Sequence, residues 1–100
     1  MKNLKQRLID ETKKGLVRMK AEIKQSDEEL EILDARLKIE KKFYEVKDIE
    51  KDLKEDIKYS VAALEDMIAM ELDRNAELKK DAKISAYRLT MIEKFADDEL

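Results

Sequence analysis

Apolar residues return at every seventh position from Ile9 through Leu16, Ile23, Leu30 and Leu37 to Tyr44, and no proline interrupts them anywhere in the chain. A repeat of seven holds one stripe of an α-helix against a partner helix for turn after turn. In the first segment Leu4, Leu8, Ile9, Leu16, Met19 and Ile23 share a face, and Arg7, Lys13, Lys14, Arg18, Lys20 and Lys24 share the opposite one. This pattern predicts an amphipathic helix over about residues 2–24. Gly15 stands at the border of the apolar face, where it weakens the helix by about 1 kcal/mol relative to alanine; close approach of a neighbouring helix is its expected reason.

Ser26-Asp27-Glu28-Glu29 reads as a helix start at Asp27. The serine can accept a backbone N–H three residues on, Glu29 can reach back, and the acidic cluster suits the positive end of a helix dipole. From there the chain carries two stripes. Leu30, Leu33, Leu37 and Tyr44 continue the first, while Ile32, Ile39, Val46 and Leu53, supported by Ala35, Phe43, Ile49 and Ile57, make a second that runs on through Val61, Leu64, Ile68 and Leu72. The expected central helix spans about residues 27–73. The opposing reading runs the heptads straight through Ser26, placing it at an inward position of one helix of about 45 residues. Asp73-Arg74-Asn75 is the next expected stop, since Asn tolerates the backbone of a helix end. Ile84, Tyr87, Met91 and Phe95 define a last helix over about 76–97, and the acidic tail Asp97-Asp98-Glu99-Leu100 is expected to fray.

Composition narrows the class. One glycine and no proline leave a sheet without its turn vocabulary, and 47% charged with 43% hydrophobic residues leaves little for loops. The expectation is one all-α domain over residues 1–100, its long antiparallel helices forming a coiled-coil-like bundle. Two short helices laid along a longer central one cannot cover both of its stripes, so dimerisation is expected to complete the bundle. The alternative is a compact monomeric three-helix bundle with turns near Ser26 and near Tyr59-Ser60.

Charge is segregated. Residues 1–25 carry eight basic side chains against Asp10, Glu11 and Glu22, a net of +5 within a chain whose total is −3. The first expectation is self-complementarity, the basic helix folding back antiparallel on the acidic segment that follows it. The other is that Arg7, Lys14 and Arg18 meet an outside anion, either nucleic acid or an acidic protein.

Histidine and cysteine are absent. That removes the commonest agents of acid–base and nucleophilic catalysis and the usual zinc ligands, and it leaves the redox compartment open. There is no glycine-rich phosphate loop and no calcium loop, so no catalytic residue, no metal ligand and no cofactor is expected. The aromatic residues Phe43, Tyr44, Tyr59, Tyr87 and Phe95 are expected in the core, as are Met67, Met70 and Met91 as gap-fillers. The pair Glu28-x-x-Glu31 and Glu45-x-x-Asp48 resembles the ExxE and ExxD motifs of the all-α nucleotide pyrophosphohydrolases of the MazG type, over 21 residues of this chain. The resemblance implies four carboxylates on neighbouring helices holding Mg²⁺, which polarises a phosphate chain and positions a water for attack.

The leading functional expectation is a non-enzymatic, homo-oligomeric helical module that binds another protein as adaptor, assembly factor or inhibitor, with a virus or mobile element as a fitting source. Its contacts are expected at Ile39, Phe43 and Val46 on the apolar stripe and at Arg7, Lys14 and Arg18 on the basic face. Nucleic-acid binding through the basic first helix is the alternative, and the Mg²⁺-dependent pyrophosphohydrolase the second. Apolar runs fall far short of the roughly 20 residues that span a bilayer, so no membrane partner is expected and the location is read as cytoplasmic, of the cell or of an infected host.

Overall fold

A computed structural model describes residues 3–95. The described residues form two α-helices and no strand: α1, Leu4–Tyr44, and α2, Lys51–Lys94. The all-α expectation holds, and the three-helix division does not. Neither Ser26 nor Asn75 ends a helix, so the expected segments 2–24, 27–73 and 76–97 become two, with their ends beyond residues 3 and 95 lying outside the described residues, as does the expected fraying of 97–100. Tyr59-Ser60, the turn of the monomeric three-helix alternative, sits inside α2.

The physical reason is continuity of the inward stripe. Ile9, Thr12, Leu16, Met19, Ile23, Ser26, Leu30, Leu33, Leu37 and Glu40 alternate spacings of three and four along α1, and all are buried or half-buried. Stopping the helix at Ser26 would orphan four carbonyls and four N–H groups to satisfy one cap, and no glycine or proline forces that exchange. α2 repeats the pattern through Ile57, Val61, Leu64, Ile68, Glu71, Asn75, Leu78, Ala82, Ser85, Leu89 and Ile92.

The reversal lies at residues 45–50, where no turn was expected, because Val46 and Leu53 are seven apart and the stripe spans the break by coincidence. α1 tightens at its end, with the Glu45 and Val46 N–H groups donating to the Lys42 and Phe43 carbonyls at 3.2 Å. Asp48 takes a left-handed φ of 66°, a conformation that Asp and Asn tolerate better than other side chains. α2 then begins with the Lys54 N–H donating to the Glu50 carbonyl and Asp52 in its first turn, where the helix dipole favours an anion. At the start of α1, Asn3 is the cap: its Oδ1 accepts the Gln6 N–H at 2.8 Å.

Two compact units divide the chain, Ser26–Asn75 and Met1–Gln25 with Ala76–Leu100. The first is a helical hairpin. Its partners run antiparallel: Ser26 meets Asn75, Leu33 shares a groove with Met67 and Glu71, and Lys54 Nζ lies 4.8 Å from the centre of the Tyr44 ring. Leu33 at 2% exposure and Leu64 are its buried hydrophobic residues. Its most buried polar pair is Asn75, whose Nδ2 donates to Ser26 Oγ at 3.0 Å and to Asp27 Oδ1 at 2.8 Å. In the second unit Met19 lines a small cavity with Asp81, Ile84, Ser85 and Arg88, and Ile9 is the buried hydrophobic residue.

Gly15 has nothing within 4 Å of where its Cβ would stand, so no neighbouring helix within the chain explains it. The charge expectation is corrected as well. The basic segment pairs with residues 76–95, which are themselves net basic, and the acidic segment after it pairs with its own continuation.

Candidate interaction surface

With Ile9 and Val61 each taken as position a of a heptad, the inward stripe occupies a and d. In the hairpin Ser26–Asn75, Glu29 and Leu33 of α1 border one groove with Met67, Met70, Glu71 and Arg74 of α2. Glu29, Met67 and Arg74 are all g positions, so the g edges of the two helices adjoin, as they do in antiparallel pairs. The c positions lie just outside g. On this flank α1 presents Ile32, Ile39 and Phe43, with Val46 two residues past its end, and α2 presents Leu53, Met67 and Met70, every one classed as exposed. The opposite flank, at b and e, reads Asp27, Glu31, Asp34, Lys38 and Lys41 on α1, with an Asp34–Lys38 pair at 2.9 Å. On α1 the exposed apolar side chains therefore gather on one side and the charged ones on the other, whereas on α2 the b and e positions include Ala62, Ala69 and the exposed Leu72.

Three of the residues singled out from the sequence, Ile39, Phe43 and Val46, fall together on the apolar flank at the turn end of α1. Val46 follows directly on the tightened last turn, its N–H donating to the Phe43 carbonyl at 3.2 Å. The groove floor is set by ion pairing: Arg74 Nη1 donates to Glu71 Oε1 at 2.9 Å, and the Glu71 side chain is largely covered. The expectation that the aromatic residues form the core fails. All five are exposed, Tyr59 at 76%, and so are Met67 and Met70, at 72% for the latter. A two-helix layer has one narrow stripe of interior, which aliphatic a and d residues fill; Phe43, Tyr59, Tyr87 and Phe95, at f and g, have nothing to pack under, and Tyr44, though at a, is the last residue of α1.

The basic candidates lie in the other unit. Arg7 and Lys14 are at f, farthest from the inward stripe, and Arg18 is at c. Arg7 Nε pairs with Glu11 Oε1 at 3.4 Å, an exposed i,i+4 contact of little energy. Lys13, Lys14 and Arg18 surround exposed Val17 in a shallow depression and make no ion pair among the described residues. This unit has its own exposed apolar side chains, Leu4, Leu8, Ile84, Tyr87 and Phe95.

The four carboxylates of the pyrophosphohydrolase-like motif do not converge. Glu28 and Glu31 stand within α1 and Glu45 follows its end, so Glu31 and Glu45 are separated by roughly 20 Å along the axis at 1.5 Å per residue. Among the described residues no group of three or more acidic side chains is placed to hold a metal ion. No described helix is long and apolar enough to cross a membrane.

Comparison with known protein families, curated proteins and solved structures finds no match to this chain.

Sequence reasoning missed the link between Ser26 and Asn75. The signal was present: both are polar residues on largely apolar heptad stripes, and each was taken for a helix boundary when they are partners 49 residues apart.

Proposed function

We propose that this chain is a non-enzymatic helical interaction module that acts as a homo-oligomer, its apolar flank being covered by a second copy. The observation that carries this reading is surface. The chain leaves 8162 Å² accessible at 11.8 kDa, whereas compact monomers of that mass expose roughly 5,900 Å². The difference, on the order of 2,000 Å² per chain, is the scale that obligate dimers bury. The flank of Ile32, Ile39, Phe43, Val46, Leu53, Met67 and Met70 supplies suitable apolar side chains, with aromatic and methionine residues of the kind enriched at interfaces. An adaptor, assembly factor or inhibitor fits this architecture, because paired hairpins closing into four helices leave charged outer faces for another protein.

Light scattering over 1–100 µM, a range of about two decades around typical dimer affinities, tests the reading. A mass near twice that of the chain is expected, and a strict monomer throughout that range would remove it.

A second reading has its own observation. The described residues of the unit containing 3–25 and 76–95 carry twelve basic and six acidic side chains, and Lys13, Lys14 and Arg18 project together from it. Nucleic acid bound along that unit would lose affinity steeply with salt. Absence of any gel shift with DNA or RNA at low salt would end this reading.

A further inference from the structure

Sulfur in this chain is confined to methionine, because cysteine is absent. Met67 and Met70 are exposed, at 46% and 72%, while Met19 and Met91 are half-buried. The exposed two stand together: both border the groove of the hairpin Ser26–Asn75 that Leu33, Glu71 and Arg74 also line. A thioether reacts with peroxides in proportion to its access to solvent, so these two sulfurs are the chain's open targets among the described residues.

We propose that Met67 and Met70 are an oxidation site, and that conversion of their thioethers to sulfoxides by hydrogen peroxide releases the chain from its dimer. This rests on the homo-oligomer reading above and adds its regulation. In the reaction a sulfur lone pair attacks one peroxide oxygen, the S–O bond forms as the O–O bond breaks, and hydroxide leaves. Hydroxide then takes the proton of the transferred oxygen, so sulfur is oxidised by two electrons and the peroxide is reduced to water. The product suits water better than an interface. A methionine side chain packs as a flexible apolar group, whereas a sulfoxide oxygen requires a hydrogen-bond donor. In the separate chain solvent supplies that donor, and so does Arg74, one helical turn beyond Met70: its Nη1 donates to Glu71 Oε1 at 2.9 Å, and the exposed guanidinium keeps further N–H groups to offer. A second copy laid on the flank removes the water and closes over oxidised sulfur from both chains. Burial of these polar groups raises the dimer dissociation constant by about a hundredfold.

Treating the full chain with hydrogen peroxide tests the site. Peptide mass spectrometry locates each added oxygen, light scattering gives the dissociation constant, and circular dichroism follows the helices. Met70 and Met67 are expected to gain oxygen before Met19 and Met91, with the dimer weakened about a hundredfold and the helical signal retained. Methionine sulfoxide reductase should then restore the dimer. A Met67→Leu, Met70→Leu variant, whose side chains keep the apolar flank and cannot be oxidised, should stay dimeric through the same treatment. Oxidation of Met19 or Met91 first, an unchanged dissociation constant with both exposed methionines oxidised, loss of helix on oxidation, or dissociation of the leucine variant under peroxide each overturns the proposal and leaves the homo-oligomer standing. A parent chain that is monomeric before any peroxide is added overturns both.

Discussion

Replacing Asn75 by alanine isolates what its buried link to Ser26 contributes. Asn75 is 6% exposed and Ser26 is 0% exposed, so water does not substitute freely for either partner. The change deletes a neutral hydrogen bond to Ser26 Oγ at 3.0 Å and one to the Asp27 carboxylate at 2.8 Å. The first is worth about 1 kcal/mol and the second, being charge-assisted, up to about 2 kcal/mol, discounted here because Asp27 is classed as exposed and can be rehydrated. Alanine returns about 0.5 kcal/mol through helix propensity. The Ser26 hydroxyl can turn to the carbonyl one helical turn back, as Thr12 Oγ1 does toward the Leu8 carbonyl at 2.8 Å, which limits the desolvation loss. The net is a destabilisation of about 2 kcal/mol, or a fall in Tm on the order of 10 °C for a chain of this size. Urea unfolding followed by circular dichroism at fixed protein concentration measures it. A Ser26→Ala, Asn75→Ala cycle should show a coupling of about 1 kcal/mol. Asn75→Ala matching the parent within about 0.5 kcal/mol would refute the reasoning, since a buried link cannot be lost for nothing.

Gly15→Ala should raise stability by about 1 kcal/mol, because a Cβ there meets open space; a loss in urea midpoint would mean that something else occupies that space. Asp48→Gly should add up to about 1 kcal/mol by relieving a side chain at φ 66°, visible as a higher Tm. Ile39→Glu with Phe43→Glu should leave the helical circular dichroism of the hairpin in place and abolish the proposed dimer in light scattering, because both side chains are exposed within the chain; a variant that still dimerises would exclude this flank. Lys54→Ala should cost less than about 1 kcal/mol, the value of an exposed cation over a ring, and a larger loss would show the Tyr44 contact to anchor the turn.

Much of the fold was legible because periodicity speaks directly about helices. The stripe beginning at Ile9 was correct as far as Leu37 and failed at the exposed Tyr44, and the reading that carried it through Ser26 was the right one. What misled was the grammar of caps. Ser-x-x-Glu at 26–29 and Asn at 75 have good capping chemistry, yet a cap is worth about 1 kcal/mol, while a continuing helix satisfies every backbone group it passes. The true turn had the opposite problem. Glu45 to Glu50 contains neither glycine nor proline, its lone left-handed residue is an aspartate, and the apolar spacing across it imitates an unbroken helix. Of the candidate surface, Ile39, Phe43 and Val46 were legible as a second stripe. The exposure of the aromatic residues was not, because a sequence pattern shows which residues share a face and leaves open whether anything covers that face.

Ser26 and Asn75 also bear on how the hairpin holds its register. A heptad stripe of aliphatic side chains tolerates a slip of seven residues with modest loss, since leucine follows leucine and isoleucine follows isoleucine. A polar side chain on that stripe does not tolerate it. Sliding α2 by one heptad would set Asn75 against Met19 or Leu33 and bury its amide without a partner, a cost of about 2 kcal/mol or more for an unmade bond. The same slip would require the turn at 45–50 to lengthen or shorten by residues that α1 and α2 now hold in helix. The polar pair thus trades stability for a single alignment, as one buried asparagine does in paired helices. Ser26→Leu with Asn75→Leu separates these contributions: the double variant should unfold at a higher urea concentration than the parent while losing its single set of amide resonances. A more stable variant with one sharp, parent-like set of resonances would show that the turn alone fixes the register.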